Sequence, residues 1–163
     1  MLTDYHAKYF AHELTKRCAS DSLEKLAGAV AGAQVDARFV VLRDKDSEDC
    51  REVKNRLVKK CAEGLRPDAL VRVACHELES WYLGDLAAVE AGLQTTGLAR
   101  HQHKTPFDKP DDLASPARKL QSIAPAYQKI GGSRAIGPHL DPVNKRSHSF
   151  VVFVDGLRKL AAP

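Results

Sequence analysis

The chain has 163 residues, 44% of them hydrophobic, so it can bury one modest core and has no room for a second full domain. Residues 1 to 93 carry 14 Lys and Arg against 16 Asp and Glu, whereas residues 94 to 163 carry 11 against 5. The basic second half is either a surface for a polyanion or an ordinary solvated surface. No apolar run could span a bilayer, no signal peptide is indicated, and the four cysteines lack CxxC spacing. We therefore expect a cytoplasmic protein with reduced thiols.

Residues 1 to 36 are predicted to be helical. Apolar residues recur at helical spacing over Thr3 to Cys18 and over Ser22 to Ala31, and Asp21 and Glu24 between them have the spacing of a capping box. Nothing in this segment indicates chemistry. The helical pattern stops at Asp36 without a Gly or Pro linker, and the first strand is expected to begin there.

Two short apolar runs organise the rest of the chain. Phe39 to Leu42 and Leu70 to Ala74 are nearly unbroken and rich in β-branched residues, as in strands buried on both faces of a parallel sheet. The segment Glu48 to Gly64 lies between them, with apolar positions at helical spacing: Cys50, Val53, Leu57, Val58, Cys61 and Leu65. Together they predict a strand, a helical crossover and a parallel strand. The expected fold class is α/β.

The second half is predicted to be mainly helical. A helical turn from Glu79 to Leu83, anchored in the core by Trp81, precedes a helix from Leu86 to Leu93. The polar stretch Gln94 to Asp112 is expected to form a long irregular loop. Gly131 to His139 is glycine-rich but lacks a Gly-Lys-Ser/Thr ending, which argues against a nucleotide P-loop. Three further helices are expected, near Pro116 to Ile123, near Pro125 to Ile130, and from Ser147 to Ala161.

Carboxylates follow both predicted strands. Asp44 and Asp46 come after the first strand, Glu77 and Glu79 after the second, and parallel strands end at one edge of the sheet, where ligands bind in open α/β folds. Where a strand remains extended, residues two apart point to the same side, so each pair can converge. Such oxygen ligands suit Mg²⁺, which takes one or two carboxylates, water and a substrate phosphate. The alternative is that these residues are helix caps and solvated loop residues.

The neighbouring charges also allow two interpretations. Asp49 is expected in the first helical turn, where a negative charge offsets the helix dipole, and is the weaker metal candidate. Arg43, Arg134 and Arg146 are candidates for contacts with the phosphates of a nucleic acid, although each would equally suit an ordinary surface position.

From Ala37 onward the chain resembles a bacterial Toprim-like family catalogued as domain of unknown function 4276. The resemblance rests on FVVLRDKDSEDC (39 to 50), VRVACHELESWYLGDLAAVE (71 to 90), PAYQKIGGSRAIGPHLD (125 to 141) and RSHSFVVFVDGLRKL (146 to 160). It implies a parallel sheet flanked by helices and a divalent-metal site for phosphodiester cleavage. Asp44 and Asp46 would be the Asp-x-Asp of that site, and Glu77 or Glu79 an additional acidic position. Related Toprim groups often act beside an ATPase in phage defence.

The same resemblance implies that a first strand and its catalytic Glu should precede Phe39, whereas residues 1 to 36 look helical. That segment instead resembles the amino-terminal segment of a bacterial Swi/Snf-type helicase, without the motor motifs. The expected organisation is therefore a helical segment, 1 to 36, joined to a truncated Toprim-like domain, 37 to 163. Losing strands should expose a sheet edge that invites self-association.

The leading hypothesis is a nuclease domain dependent on Mg²⁺ or Mn²⁺ and impaired by the missing Glu. Asp44, Asp46 and Glu79 would bind the metal, and Glu77 or Glu79 would orient water. The alternative hypothesis is a non-catalytic module whose basic second half binds nucleic acid or a partner ATPase. No membrane association is expected.

Overall fold

The computed structural model describes residues 38–162, and the structural statements that follow concern these residues. Strand β1 (Val40–Asp44) and strand β2 (Leu70–Ala74) pair in parallel, with Val40 opposite Leu70 and Asp44 opposite Ala74. Helix α1 (Cys50–Glu63) connects them. The predicted strand, helix and parallel strand are therefore confirmed. The predictions for residues 1 to 36, including Cys18, lie outside the described residues.

Five further helices follow β2: α2 (Glu79–Leu83), α3 (Leu86–Leu93), α4 (Pro116–Ile123), α5 (Lys129–Ile136) and α6 (His148–Ala161). Short 3-10 turns are formed by Ala99–His101, Pro110–Asp112 and Gly137–His139. The described part of the chain is thus a mixed α/β fold with a two-stranded parallel sheet, and α2, α3, α4 and α6 lie where the sequence predicts them.

Helices cover both faces of the sheet. On one face α1 packs against β2 and β1 through a cluster of aliphatic residues and one thiol, Val53, Leu57, Cys61, Val71, Val73 and Val41. On the other face α6 contributes Phe150, Phe153 and Val154, which pack with Ala74, Val40 and Leu42. Trp81 joins this second cluster, with its ring centroid 5.3 Å from that of Phe150 and 4.9 Å from that of Phe153. Its predicted role as a core anchor is confirmed.

A larger helical core lies beside the sheet. It is formed by residues of α2 to α5 and their connections, Tyr82, Leu83, Leu86, Ala88, Val89, Phe107, Leu120, Ala124, Tyr127 and Ile136. The stretch Gln94 to Asp112, predicted as an irregular loop, is tied to this core by Gln102. The buried Gln102 amide donates to the carbonyls of Leu83 (3.1 Å) and Phe107 (2.9 Å) and accepts from the Leu86 N–H.

The apolar stripe predicted on α1 is too wide. Val53, Leu57 and Cys61 are buried, but Cys50 is exposed, Val58 is 43% exposed and Leu65 is 80% exposed. The sheet beneath α1 has only two short strands in the described residues, so it covers a narrow strip of the helix. Burial raises the pKa of the Cys61 thiol, and the nearby charge of Asp68 adds to the effect.

The helix predicted near Pro125 to Ile130 is wrong. The chain makes a turn there, with the Tyr127 N–H donating to the Ala124 carbonyl at 2.9 Å, and the helix begins only at Lys129. It then continues through Gly131 and Gly132, at the start of the glycine-rich segment Gly131 to His139. Gly132 is tolerated inside the helix because the ring of Tyr127 packs into the space that a side chain would occupy.

The outer edge of β2 is partly protected. The Arg72 guanidinium donates to the Val71 carbonyl at 2.8 Å and to the Val152 carbonyl at 3.1 Å, and the Cys75 N–H donates to the Ser149 hydroxyl at 3.3 Å. Backbone groups satisfied in this way offer fewer partners to an incoming strand. Self-association through this edge stays a prediction. Among the described helices, none combines the length and apolar character needed to cross a membrane.

Candidate functional site

The carboxyl ends of β1 and β2 are held together by backbone hydrogen bonds beyond the last strand pair. The Lys45 N–H donates to the Ala74 carbonyl at 3.1 Å and the Asp46 N–H to the His76 carbonyl at 2.8 Å. Asp46 and His76 both have positive φ angles, 53° and 55°, so the chain turns at each of them. The strands do not stay extended through the acidic residues, and strand alternation no longer decides where those side chains point.

Asp44 is the last residue of β1 and lies over the start of α2. Its Oδ1 accepts the Leu78 N–H at 2.9 Å, and thereby caps a helix whose own N-cap residue makes no side-chain bond. Burial and the charge of Glu79, with a smaller effect of Asp46, raise the pKa of Asp44 to about 6. The Leu78 N–H and the charge of Lys129 act in the opposite direction. A carboxyl group is thus held close to other carboxylates in a half-buried position.

Glu79, in the first turn of α2, is buried with 2% exposure. The Tyr127 hydroxyl donates to its Oε1 at 2.9 Å, and the Ser133 hydroxyl lies 3.3 Å from the same tyrosine oxygen. Burial raises the pKa of the Tyr127 phenol, so this group stays protonated and remains a donor. Glu79 therefore has a fixed partner on one side and influences Asp44 electrostatically on the other.

Glu77 and Asp49 serve as helix caps. Glu77 Oε2 accepts the Ala117 N–H at 2.8 Å, at the start of α4, whose N-cap Ser115 makes no side-chain bond. Glu77 and Glu79 are therefore bound to different parts of the chain. Asp49 is the N-cap of α1, and hydrogen bonds from the N–H groups of Glu52 and Arg51 lower its pKa. The expected role of Asp49 at the start of the helix is confirmed.

The three arginines predicted to contact nucleic acid have different surroundings. Arg43 is 3.5 Å from Glu48, and the half-buried Arg146 donates to the Gly84 carbonyl at 3.3 Å. Arg134 is exposed in the last turn of α5. The cation whose charge acts on Asp44 is Lys129, an exposed residue at the start of α5 that forms no ion pair within residues 38–162.

Two residues of this site, Tyr127 and Lys129, were missed by sequence reasoning. Tyr127 lies 48 residues after Glu79, and both Tyr127 and Lys129 fell within the helix wrongly predicted near Pro125 to Ile130. No spacing pattern links a tyrosine to a glutamate over such a distance. Its sequence signal is Gly132, which makes room for the ring.

The carboxylates that follow β1 and β2 are candidate ligands for a metal ion. Within residues 38–162, no group of three or more His, Cys, Asp or Glu side chains is placed to hold a metal ion. Asp44 and Glu79, with Asp46 nearby, supply hard oxygen donors, and a cation would relieve the repulsion that raises the pKa of Asp44. This donor set fits Mg²⁺, which usually takes one or two protein carboxylates and completes its shell with water and phosphate.

Comparison with known proteins gives one match. No curated protein and no solved structure matches the chain. The model of one protein family matches residues 3–158, a range that includes most of the segment 1 to 36. The division of the chain near Asp36 and the resemblances to Toprim domains and to a helicase stay predictions. Because the match covers nearly the whole chain, this protein belongs to the family described as Domain of unknown function (DUF4276).

Proposed function

We propose that the protein is a metal-dependent phosphodiesterase acting on nucleic acid, with Asp44 and Glu79 as the protein ligands of Mg²⁺ or Mn²⁺. The observation that carries the proposal is the position of Asp44 and the buried Glu79 after neighbouring parallel strands, where burial and the charge of Glu79 both raise the pKa of Asp44. Like charges in a half-buried place are unfavourable unless something compensates them, and a divalent cation would do so.

The bound metal would polarise a phosphoryl oxygen and lower the pKa of a coordinated water. The protein residues would hold the metal ligands in position. Asp44 and Glu79 hold fixed orientations through the Leu78 N–H and the Tyr127 hydroxyl, which limits the reorganisation needed when an ion enters. Glu77 caps α4, and we do not assign it a part in the chemistry.

Lys129 is the residue that we assign to the substrate phosphate. It is exposed, unpaired within residues 38–162 and close enough to Asp44 to lower its pKa. A flexible ammonium beside a carboxylate-bound cation suits the negative charge of a phosphodiester.

Metal binding is the first test. Titration calorimetry with Mn²⁺ at pH 8, where the Asp44 carboxylate is ionised, should give saturable heats for the wild-type chain. Asp44→Asn and Glu79→Gln should each weaken binding at least about tenfold, since each removes a charged ligand. Asp155→Asn is the matched control, because Asp155 is exposed on α6 and forms a surface ion pair with Arg158, at 3.2 Å. Equal heats for all four proteins would refute the site.

Cleavage of labelled single-stranded DNA, duplex DNA and RNA in Mg²⁺ then tests the reaction. Activity should disappear in Asp44→Asn and persist in Asp155→Asn. Lys129→Gln should weaken binding of the cleaved nucleic acid and reduce the salt dependence by about one counterion, whereas Lys104→Gln, an exposed control, should change neither. Metal and nucleic-acid binding without cleavage would instead favour a non-catalytic binding module.

A further inference from the structure

The buried carboxylate of Glu79 is hydrogen-bonded to a side chain that comes from far along the sequence. An ionised carboxyl group with 2% exposure needs donors, because burying an unpaired charge is strongly unfavourable. The donor is the Tyr127 hydroxyl, 2.9 Å from Oε1. A hydrogen bond to a charged acceptor is about twice as strong as one between neutral groups, so it can fix the orientation of the carboxylate.

The position of that hydroxyl is itself fixed. Tyr127 has 3% exposure, and its ring meets the ring of Tyr82 edge to face with centroids 6.3 Å apart. Helix α5 passes directly over the ring at Gly132, where an added Cβ would lie 2.6 Å from Tyr127 Cε2. Ser133, the next residue, places its hydroxyl 3.3 Å from that of Tyr127. The ring is enclosed on several sides and cannot move without disturbing α5.

We infer that Tyr127 is a positioning residue of the carboxylate site, which holds Glu79 in the orientation required for binding a divalent cation together with Asp44. This inference rests on the proposed function. Partners that orient a metal ligand without touching the metal commonly affect affinity by 10- to 100-fold. Without the hydroxyl, Glu79 would keep its place in the helix but would lose the group that fixes its carboxylate.

The test uses the full chain carrying Tyr127→Phe, which removes one oxygen and keeps the ring. Mn²⁺ affinity, measured by titration calorimetry and by the loss of the free Mn²⁺ paramagnetic resonance signal, should fall by about tenfold. Ser149→Ala is the control: it removes a buried hydroxyl of α6 that bonds to the Trp81 indole at 2.8 Å, and it should change the affinity less than twofold.

The unfolding equilibrium of the metal-free protein tests the hydrogen bond between Tyr127 and Glu79. Tyr127→Phe should raise the unfolding equilibrium constant by about tenfold in the wild-type background, and by much less when Glu79→Gln is already present, because the charged acceptor is gone. If Tyr127→Phe does not fold, Gly132→Ala takes its place, since it displaces the ring without removing the hydroxyl. Gly131→Ala is then the control.

The outcomes separate the two claims. If the wild-type chain binds no Mn²⁺, the proposed function fails and this inference falls with it. If the wild-type chain binds Mn²⁺ and Tyr127→Phe binds it equally well, the positioning role is wrong while the metal site stands. Equal weakening by Tyr127→Phe and Ser149→Ala would also overturn the inference, because it would show a general effect on packing.

Discussion

Replacing Asp44 by Asn is expected to stabilise the fold while removing the proposed metal ligand. The pKa of Asp44 is raised from its ordinary value of 3.8 to about 6, chiefly by burial and by Glu79. The folded chain therefore binds this proton more tightly than the unfolded chain does. As the pH rises from about 4 to 6, the free energy of unfolding falls, and the full penalty is present above about pH 7.

The size of the effect follows from the pKa shift. A shift of about two units corresponds to about 3 kcal/mol at 1.36 kcal/mol per unit, which is an upper bound. Water screens the part of the group that remains accessible, and an Asn oxygen accepts the Leu78 N–H more weakly than a carboxylate does. The net gain expected for Asp44→Asn is about 1 to 2 kcal/mol at pH 8, or roughly 3 to 6 °C in Tm, and close to zero at pH 4.

Urea unfolding at pH 4, 6 and 8 measures this directly, because Trp81 is the single tryptophan and is buried between α2 and α6. Asp155→Asn, on an exposed part of α6, should change stability by less than about 0.5 kcal/mol at every pH. Added Mn²⁺ should stabilise the wild-type chain and not Asp44→Asn. A loss of stability in Asp44→Asn at pH 8, or a gain independent of pH, would contradict the electrostatic account of this site.

Two further predictions concern packing around the site. Gly132→Ala should destabilise the chain by about 1 to 3 kcal/mol, since its Cβ would meet the buried ring of Tyr127, whereas Gly131→Ala has open space and should be neutral or stabilising by up to about 1 kcal/mol in thermal melts. Ser149→Ala should reduce stability by about 1 to 3 kcal/mol and change the fluorescence of Trp81, whose indole N–H donates to the Ser149 hydroxyl at 2.8 Å. Unaltered urea midpoints for either destabilising variant would refute the corresponding contact.

Local signals in the sequence were enough to predict most of the strands and helices. The β-branched runs give the two strands, and the apolar spacing and cap residues give α1 and α6, because these preferences depend on neighbours a few residues away. The same reasoning places Asp44 at the carboxyl end of β1 and Asp49 at the start of α1. It fails for α5, which begins at Lys129 and contains Gly131 and Gly132, two residues of low helix propensity.

The spacing of the acidic residues along the sequence could not show whether each belongs to a metal site or caps a helix. Glu77 and Glu79 are two residues apart in the sequence, yet one bonds to the start of α4 and the other to Tyr127. The turn at His76 interrupts the alternation that the prediction relied on. Their roles were decided by which distant backbone or hydroxyl group came within hydrogen-bonding distance.

The sequence by itself determined that carboxylates follow two parallel strands, since strand formation and chain direction are set by short-range patterns. Only the tertiary structure decided that Glu79 is buried near Asp44, that Tyr127 bonds to it, and that the charge of Lys129 acts on Asp44. Burial and the distance between charges are properties of the packed chain, and they control the pKa of a carboxyl group far more than its neighbours in the sequence do.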